Sequence, residues 1–410
     1  MAISRKFATR TAALVAAMGL AAPAVRADVV TDWNDRAVAA GYTARIPPDM
    51  HSRNMAMVQL AVFEALNSIE PRYTPYRTRL HAEPGASREA AAAVAAHYVL
   101  VRLFPDQAKD FDPALQQSLA TVPEGSAKAA GVRLGEQSGA AMVADRSKDA
   151  SDGVIHYRPI TEPGKYVPTV IPASSSWSGV RPFGLQTKDQ FRPPPPYALT
   201  SAQWARDFNE IKAVGAKSGS SRTPEQTEIA RFWLFIGPAT YNPVVRQVAA
   251  AKGADMLDSA RVFALSAIAT ADAAVAVFDA KYTYNFWRPV TAIRCADMDG
   301  NDATELDPGW EPYAATPMHP EYPCAHCIFQ GSAASVLRAL YGDAVPSFSL
   351  TSTTAPGVSR SFGRLSDYVA DVVNGRVYEG VHYRTSGEVG ATMGRQIGEY
   401  VVQNYLRPAR

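Results

Sequence analysis

Apolar residues recur at three- to four-residue spacing through most of this chain, the signature of helices with one buried face. Helices are predicted over 33–40, 52–69, 88–104 and 124–147 in the first part of the chain. A second set is predicted over 201–214, 223–235, 242–251, 258–284, 326–341, 359–374 and 386–405. In the 52–69 stretch, Met55, Met57, Leu60, Val62, Phe63 and Leu66 mark a buried helix. Ser87 stands where an N-cap belongs, and Thr223-Pro224-Glu225-Gln226 has the form of a capping box with proline at the first helical position. No segment reads as a strand, so the expected class is all-α.

One stretch breaks the pattern. Residues 150–200 hold Pro159, Pro163, Pro168, Pro172, Pro182 and the run Pro193 to Pro196, with no sustained period. Its aromatics (Tyr157, Tyr166, Trp177, Phe183, Phe191 and Tyr197) predict packing against the body rather than disorder. The expected organisation is a helical region over 28–149, a Pro-rich connection over 150–200 and a C-terminal helical bundle over 201–410.

Composition narrows the function classes. A net charge of +2 with 20% charged residues gives no reason to expect nucleic acid as a partner. Arg5, Lys6 and Arg10 precede a short apolar stretch, with small residues up to Ala27, so residues 1–27 are predicted to be a signal peptide. No other stretch is expected to span a membrane, because Asp272 interrupts the most apolar one. The expectation is an exported protein, periplasmic or secreted. Its three cysteines (Cys295, Cys324 and Cys327) then meet an oxidising compartment.

The candidate chemistry lies in three short segments. Lys281 and Arg288 stand seven residues apart with aromatics between them, and on a continuous helix they would share a face. Two cations on an apolar segment repel unless an anion lies between them. Pro323-Cys324-Ala325-His326 opens a predicted helix, whose first N–H groups suit an anion. Arg376-x5-His382 adds a third cation and a second histidine. Each segment alone is weak, since an isolated Lys-x6-Arg is usually a solvated helix face. His51, His81, His97 and His156 are isolated and read as surface or satisfied helix histidines.

In this order and with these spacings, the three segments resemble the signature of the vanadium-dependent haloperoxidase and type 2 phosphatidic acid phosphatase superfamily. Phe286-Trp287, His319-Pro320 and Gly380-Val381-His382-Tyr383-Arg384 resemble its haloperoxidase branch. The resemblance implies a fold of two four-helix bundles with the cofactor, vanadate, in the C-terminal one. It implies that Lys281, Arg288, Arg376 and the Ala325 N–H hold the oxyanion. His382 would bond the vanadium and His326 would be the acid–base group, with hydrogen peroxide and halide as substrates.

This chain departs from the family pattern at two places. Cys324-Ala325 stand where Ser-Gly is usual, and a thiol is a poorer donor than a hydroxyl. Ser386 stands four residues after His382, where the family often has an acid, with Glu388 as the candidate stand-in. A Cys324–Cys327 disulfide is expected, with Cys295 unpaired or the competing partner. Two other readings stay open. One is a soluble acid phosphatase that uses the same cradle on a phosphate monoester, without vanadate. The other is a non-catalytic oxyanion-binding protein. The oligomeric state is open as well.

Overall fold

The computed structural model describes residues 28–77, 80–153 and 157–409. The predicted signal peptide and His156 lie outside them. The first helices are α1 (Val29–Thr43), α2 (Pro48–Ile69), α3 (Arg88–Leu103), α4 (Ala108–Ala120) and α5 (Ser126–Arg146). After the connection come α6 (Ala202–Val214), α7 (Pro224–Phe232), α8 (Pro238–Ala251), α9 (Met256–Tyr284) and α10 (Pro289–Arg294). The chain closes with α11 (Ala325–Tyr341), strands β1 (Ala344–Ser352) and β2 (Ala355–Arg364), α12 (Leu365–Tyr378) and α13 (Arg384–Asn404).

The architecture is helical, in two bundle-like halves. In the first, α2, α3 and α5 pack together, and in the second, α9, α11, α12 and α13. Helix α9 joins them, because it also packs along α2. Among the described residues it is the one helix long and apolar enough to cross a membrane, but its apolar window is wholly buried inside the protein. Asp272, in the middle of that window, explains how the Pro-rich connection is held. Its carboxylate accepts the backbone N–H groups of Phe183, Gly184 and Leu185 at 2.6, 2.7 and 2.8 Å. Arg192 adds a pair to Asp279 at 2.6 Å, further along α9. A buried charge needs such partners, so the connection is tied down at the points where the helix is polar.

Four expectations need correction. Residues 344–364 form an antiparallel hairpin, which Pro346, Pro356 and Gly357 disguise as loop. Consequently α12 starts at Leu365, not at 359. Helix α4 was not foreseen, because Pro113 lies inside it. Helix α7 has the expected Thr223 capping box but stops at Phe232 rather than 235. His51 and His97 are locally satisfied, at the Ala37 carbonyl and Asp112 respectively.

Close helix packing positions the site. A Cβ on Gly390 of α13 would lie 2.5 Å from the Cys324 carbonyl oxygen, so only glycine lets the start of α11 approach this closely. Gly380, at φ +76°, turns the chain between α12 and His382, and a Cβ there would strike the Gly215 carbonyl oxygen at 2.3 Å.

Candidate active site

Lys281 lies in the last turn of α9, which ends at Asn285 in the left-handed conformation (φ 52°, ψ 42°). Asparagine tolerates that conformation better than most residues. The turn redirects the chain, so Arg288 is not on α9: it caps the N-terminus of α10. The expected shared helix face is therefore wrong, yet both cations reach the same piece of chain. Lys281 Nζ donates to the Pro320 and Glu321 carbonyls at 2.9 and 2.8 Å. Arg288 Nε donates to the His319 carbonyl at 2.9 Å, and Nη1 to the Val381 carbonyl at 2.8 Å.

The second segment follows directly. Cys324 caps α11, and its sulfur accepts the Cys327 N–H at 3.1 Å. Cys324 and Cys327 form a disulfide with Cα atoms 5.4 Å apart, and Cys295 is free. Ala325 opens the helix, where first-turn N–H groups lack intrahelical partners. His326 follows, and its buried Nε2 has no hydrogen-bond partner.

The third segment comes from the end of α12 and the turn after it. Arg376 Nη1 donates to the Trp233 carbonyl at 3.3 Å and pairs with Glu379, while its Nε is buried and unpartnered. His382 Nε2 lies 3.3 Å from Arg288 Nη1. Lys281, Arg288, Arg376, His326 and His382 are all buried, and His326 feels the charges of all three cations.

Two residues were missed by sequence reasoning as members of the site. His319 Nδ1 lies 3.0 Å from Arg288 Nη2, and its ring meets Phe278 edge-on at 5.4 Å. Glu321 Oε1 lies 2.7 Å from His382 Nδ1. The carboxylate facing His382 is thus neither at Ser386 nor at Glu388. Glu388 is exposed and lines a cavity of about 410 Å³ between α11, α12 and α13. The available signal was a lone acid inside the otherwise apolar and histidine-containing run 319–323.

Electrostatics define what the site can hold. Burial, then Arg288, holds the Lys281 amine well below its usual range. Burial, followed by the cations, does the same to His326 and His382. Both imidazoles are therefore neutral in the free site, with a lone pair available. Burial pushes the Glu321 carboxyl up to about 7, against the pull of Arg288 and Lys281. Three basic side chains thus face two acidic ones, Glu321 and Glu379, with the Arg376 Nε donor and His326 Nε2 left without partners. That donor set fits an oxyanion. It repels a bare cation, and among the described residues no cluster of three His, Cys, Asp or Glu side chains suits a metal ion.

Known proteins resemble this chain in sequence and fold. The model of the VCPO second helical-bundle domain matches residues 261–410, the part that carries all three segments. A bacterial vanadium-dependent iodoperoxidase superposes with a TM-score of 0.80 at 26% identity, over 93% of this chain and 98% of its own. The chain resembles the haloperoxidase-like branch of the vanadium haloperoxidase and type 2 phosphatidic acid phosphatase superfamily.

Vanadium chloroperoxidase of Curvularia inaequalis is 26% identical to this chain over 196 residues. That match spans 40% of this chain and about a third (31%) of the chloroperoxidase. A holo-type bacterial vanadium-dependent chloroperoxidase shares the fold at 17% identity, with a TM-score of 0.69 over 87% of this chain and 91% of its own.

Proposed function

We propose that this protein is a vanadate-dependent haloperoxidase that oxidises bromide or iodide with hydrogen peroxide. The observation that carries the reading is the convergence of Lys281, Arg288 and Arg376 on the two neutral histidines, with Arg376 Nε and His326 Nε2 left without partners. Lys281, Arg288, Arg376 and the Ala325 N–H would hold the oxygens of vanadate, and His382 Nε2 would bond the metal. When bound, vanadate supplies Lewis-acid activation of hydrogen peroxide without changing oxidation state.

The chain's own residues do the rest. The buried cations neutralise negative charge in a site from which water is largely excluded, where each is worth more than in solvent. An anion among them reverses the effect on His326 and favours its protonation. His326 can then deliver a proton to the departing oxygen and recover it from the next peroxide. Bromide and iodide are the expected halides because they are easier to oxidise than chloride, and the disulfide removes one donor from the cradle. Export to the periplasm or beyond belongs to the same proposal, supported by residues 1–27 and by the Cys324–Cys327 disulfide.

The same donors would accept phosphate, with His382 as nucleophile and His326 as proton donor. One experiment separates the two. Metal-free protein is assayed for bromide and iodide oxidation and for phosphate monoester hydrolysis, with and without added vanadate. A haloperoxidase gains activity with vanadate; a phosphatase is active without it and is inhibited by it. Absence of both activities would leave an oxyanion-binding protein.

A further inference from the structure

Glu321 touches the first and third segments of the site and lies two residues before the second. Its backbone N–H donates to the Phe286 carbonyl at 2.9 Å, and its carbonyl accepts from Lys281 Nζ at 2.8 Å. Its carboxylate faces His382 Nδ1 at 2.7 Å and accepts the Tyr383 N–H at 3.1 Å. The side chain is wholly buried, with Ser386 beside the carboxylate.

The two partners of His382 fix its tautomer. A guanidinium can only donate, so Arg288 Nη1, 3.3 Å from Nε2, requires a lone pair there. A neutral imidazole then carries its proton on Nδ1, where the Glu321 oxygen accepts it. We infer that Glu321 is the positioning residue that holds His382 with its Nε2 lone pair toward the oxyanion. It does so from the loop before α11, in place of the acid that the family pattern puts at the position of Ser386. Glu321, two residues before Pro323, thus supplies the acid that Ser386 does not. Ser386 is close enough to Glu321 for the carboxylate to be moved back. This inference rests on the proposed oxyanion site.

The test uses full-length protein with ¹⁵N-labelled histidine, together with vanadate titration by calorimetry. In the wild type, His382 should show the Nδ1-protonated tautomer. Glu321→Gln should mix the tautomers, because an amide can donate as well as accept, and should weaken vanadate binding by about 10- to 100-fold. Glu321→Gln/Ser386→Asp should recover most of that affinity. An Nε2-protonated His382 in the wild type overturns the inference, even if no variant folds. So does a folded Glu321→Gln protein with unchanged vanadate affinity, or a folded double variant with no recovery. A wild type that shows the Nδ1 tautomer yet binds no vanadate defeats the proposed function instead, and the tautomer shift in Glu321→Gln still reads the positioning role.

Discussion

Arg376 and Glu379 form an ion pair within one turn at the end of α12, with side chains only 3% and 1% exposed. Burial pushes the Glu379 carboxyl up to about 8, although Arg376 pulls it the other way. Because the folded pKa lies above the unfolded one, protonated Glu379 is favoured in the fold. Its contribution to stability is fully present below the ordinary carboxyl value of 4.5 and is lost as pH rises through about 8. An ionised Glu379 also competes with a bound anion for Arg376. Sulfate, whose charge is constant over this range, should bind more weakly above pH 8, on the order of tenfold per pK unit of coupling. Glu379→Gln should flatten that profile in a calorimetric titration. An equal fall in both proteins would assign the titration to Lys281, which burial and Arg288 also hold down.

The disulfide sets a second expectation. Cys324 sulfur is bonded to Cys327 and offers the site no O–H donor. Cys324→Ser/Cys327→Ala restores a hydroxyl that contributes about 1 kcal/mol as a hydrogen bond, so vanadate should bind about fivefold more tightly. Unchanged or weaker affinity would mean that position 324 does not contact the oxyanion.

Asp272 should govern stability rather than chemistry. Asp272→Asn keeps one acceptor oxygen for three converging N–H groups, leaving at least one buried donor unsatisfied at a cost of about 1–3 kcal/mol. Burial raises the Asp272 carboxyl to about 6, so its stabilising share is fullest below the ordinary carboxyl value of 3.8 and falls as pH rises through about 6. Urea unfolding at several pH values should show the loss in midpoint and a flatter profile in the variant. A variant as stable as the wild type at every pH would remove Asp272 as the anchor of the connection.

Where the sequence was readable, a local signal and the tertiary demand agreed. Thr223 with Gln226, Ser87 before α3 and the apolar period of α9 all specify helices, and helices form there. The three site segments were readable because charged residues in apolar surroundings are rare. What escaped depended on long-range geometry. The left-handed Asn285 takes Arg288 off α9, and no spacing rule shows it. Glu321 meets His382 across 61 positions, so a search for an acid near His382 in sequence finds Ser386 and Glu388 instead. The hairpin was hidden because its prolines and glycine read as turn chemistry, while Phe348 and Phe362 pack across it on Tyr368.

The central claim is that His382 bonds vanadate inside the cradle of Lys281, Arg288 and Arg376. Its most direct test is the vanadium content of dialysed protein, measured beside iodide oxidation, for the wild type and His382→Ala. The account predicts close to one vanadium per chain and peroxide-dependent iodide oxidation in the wild type, with both abolished in the variant. Full activity in His382→Ala, or in wild-type protein stripped of vanadate, would contradict it.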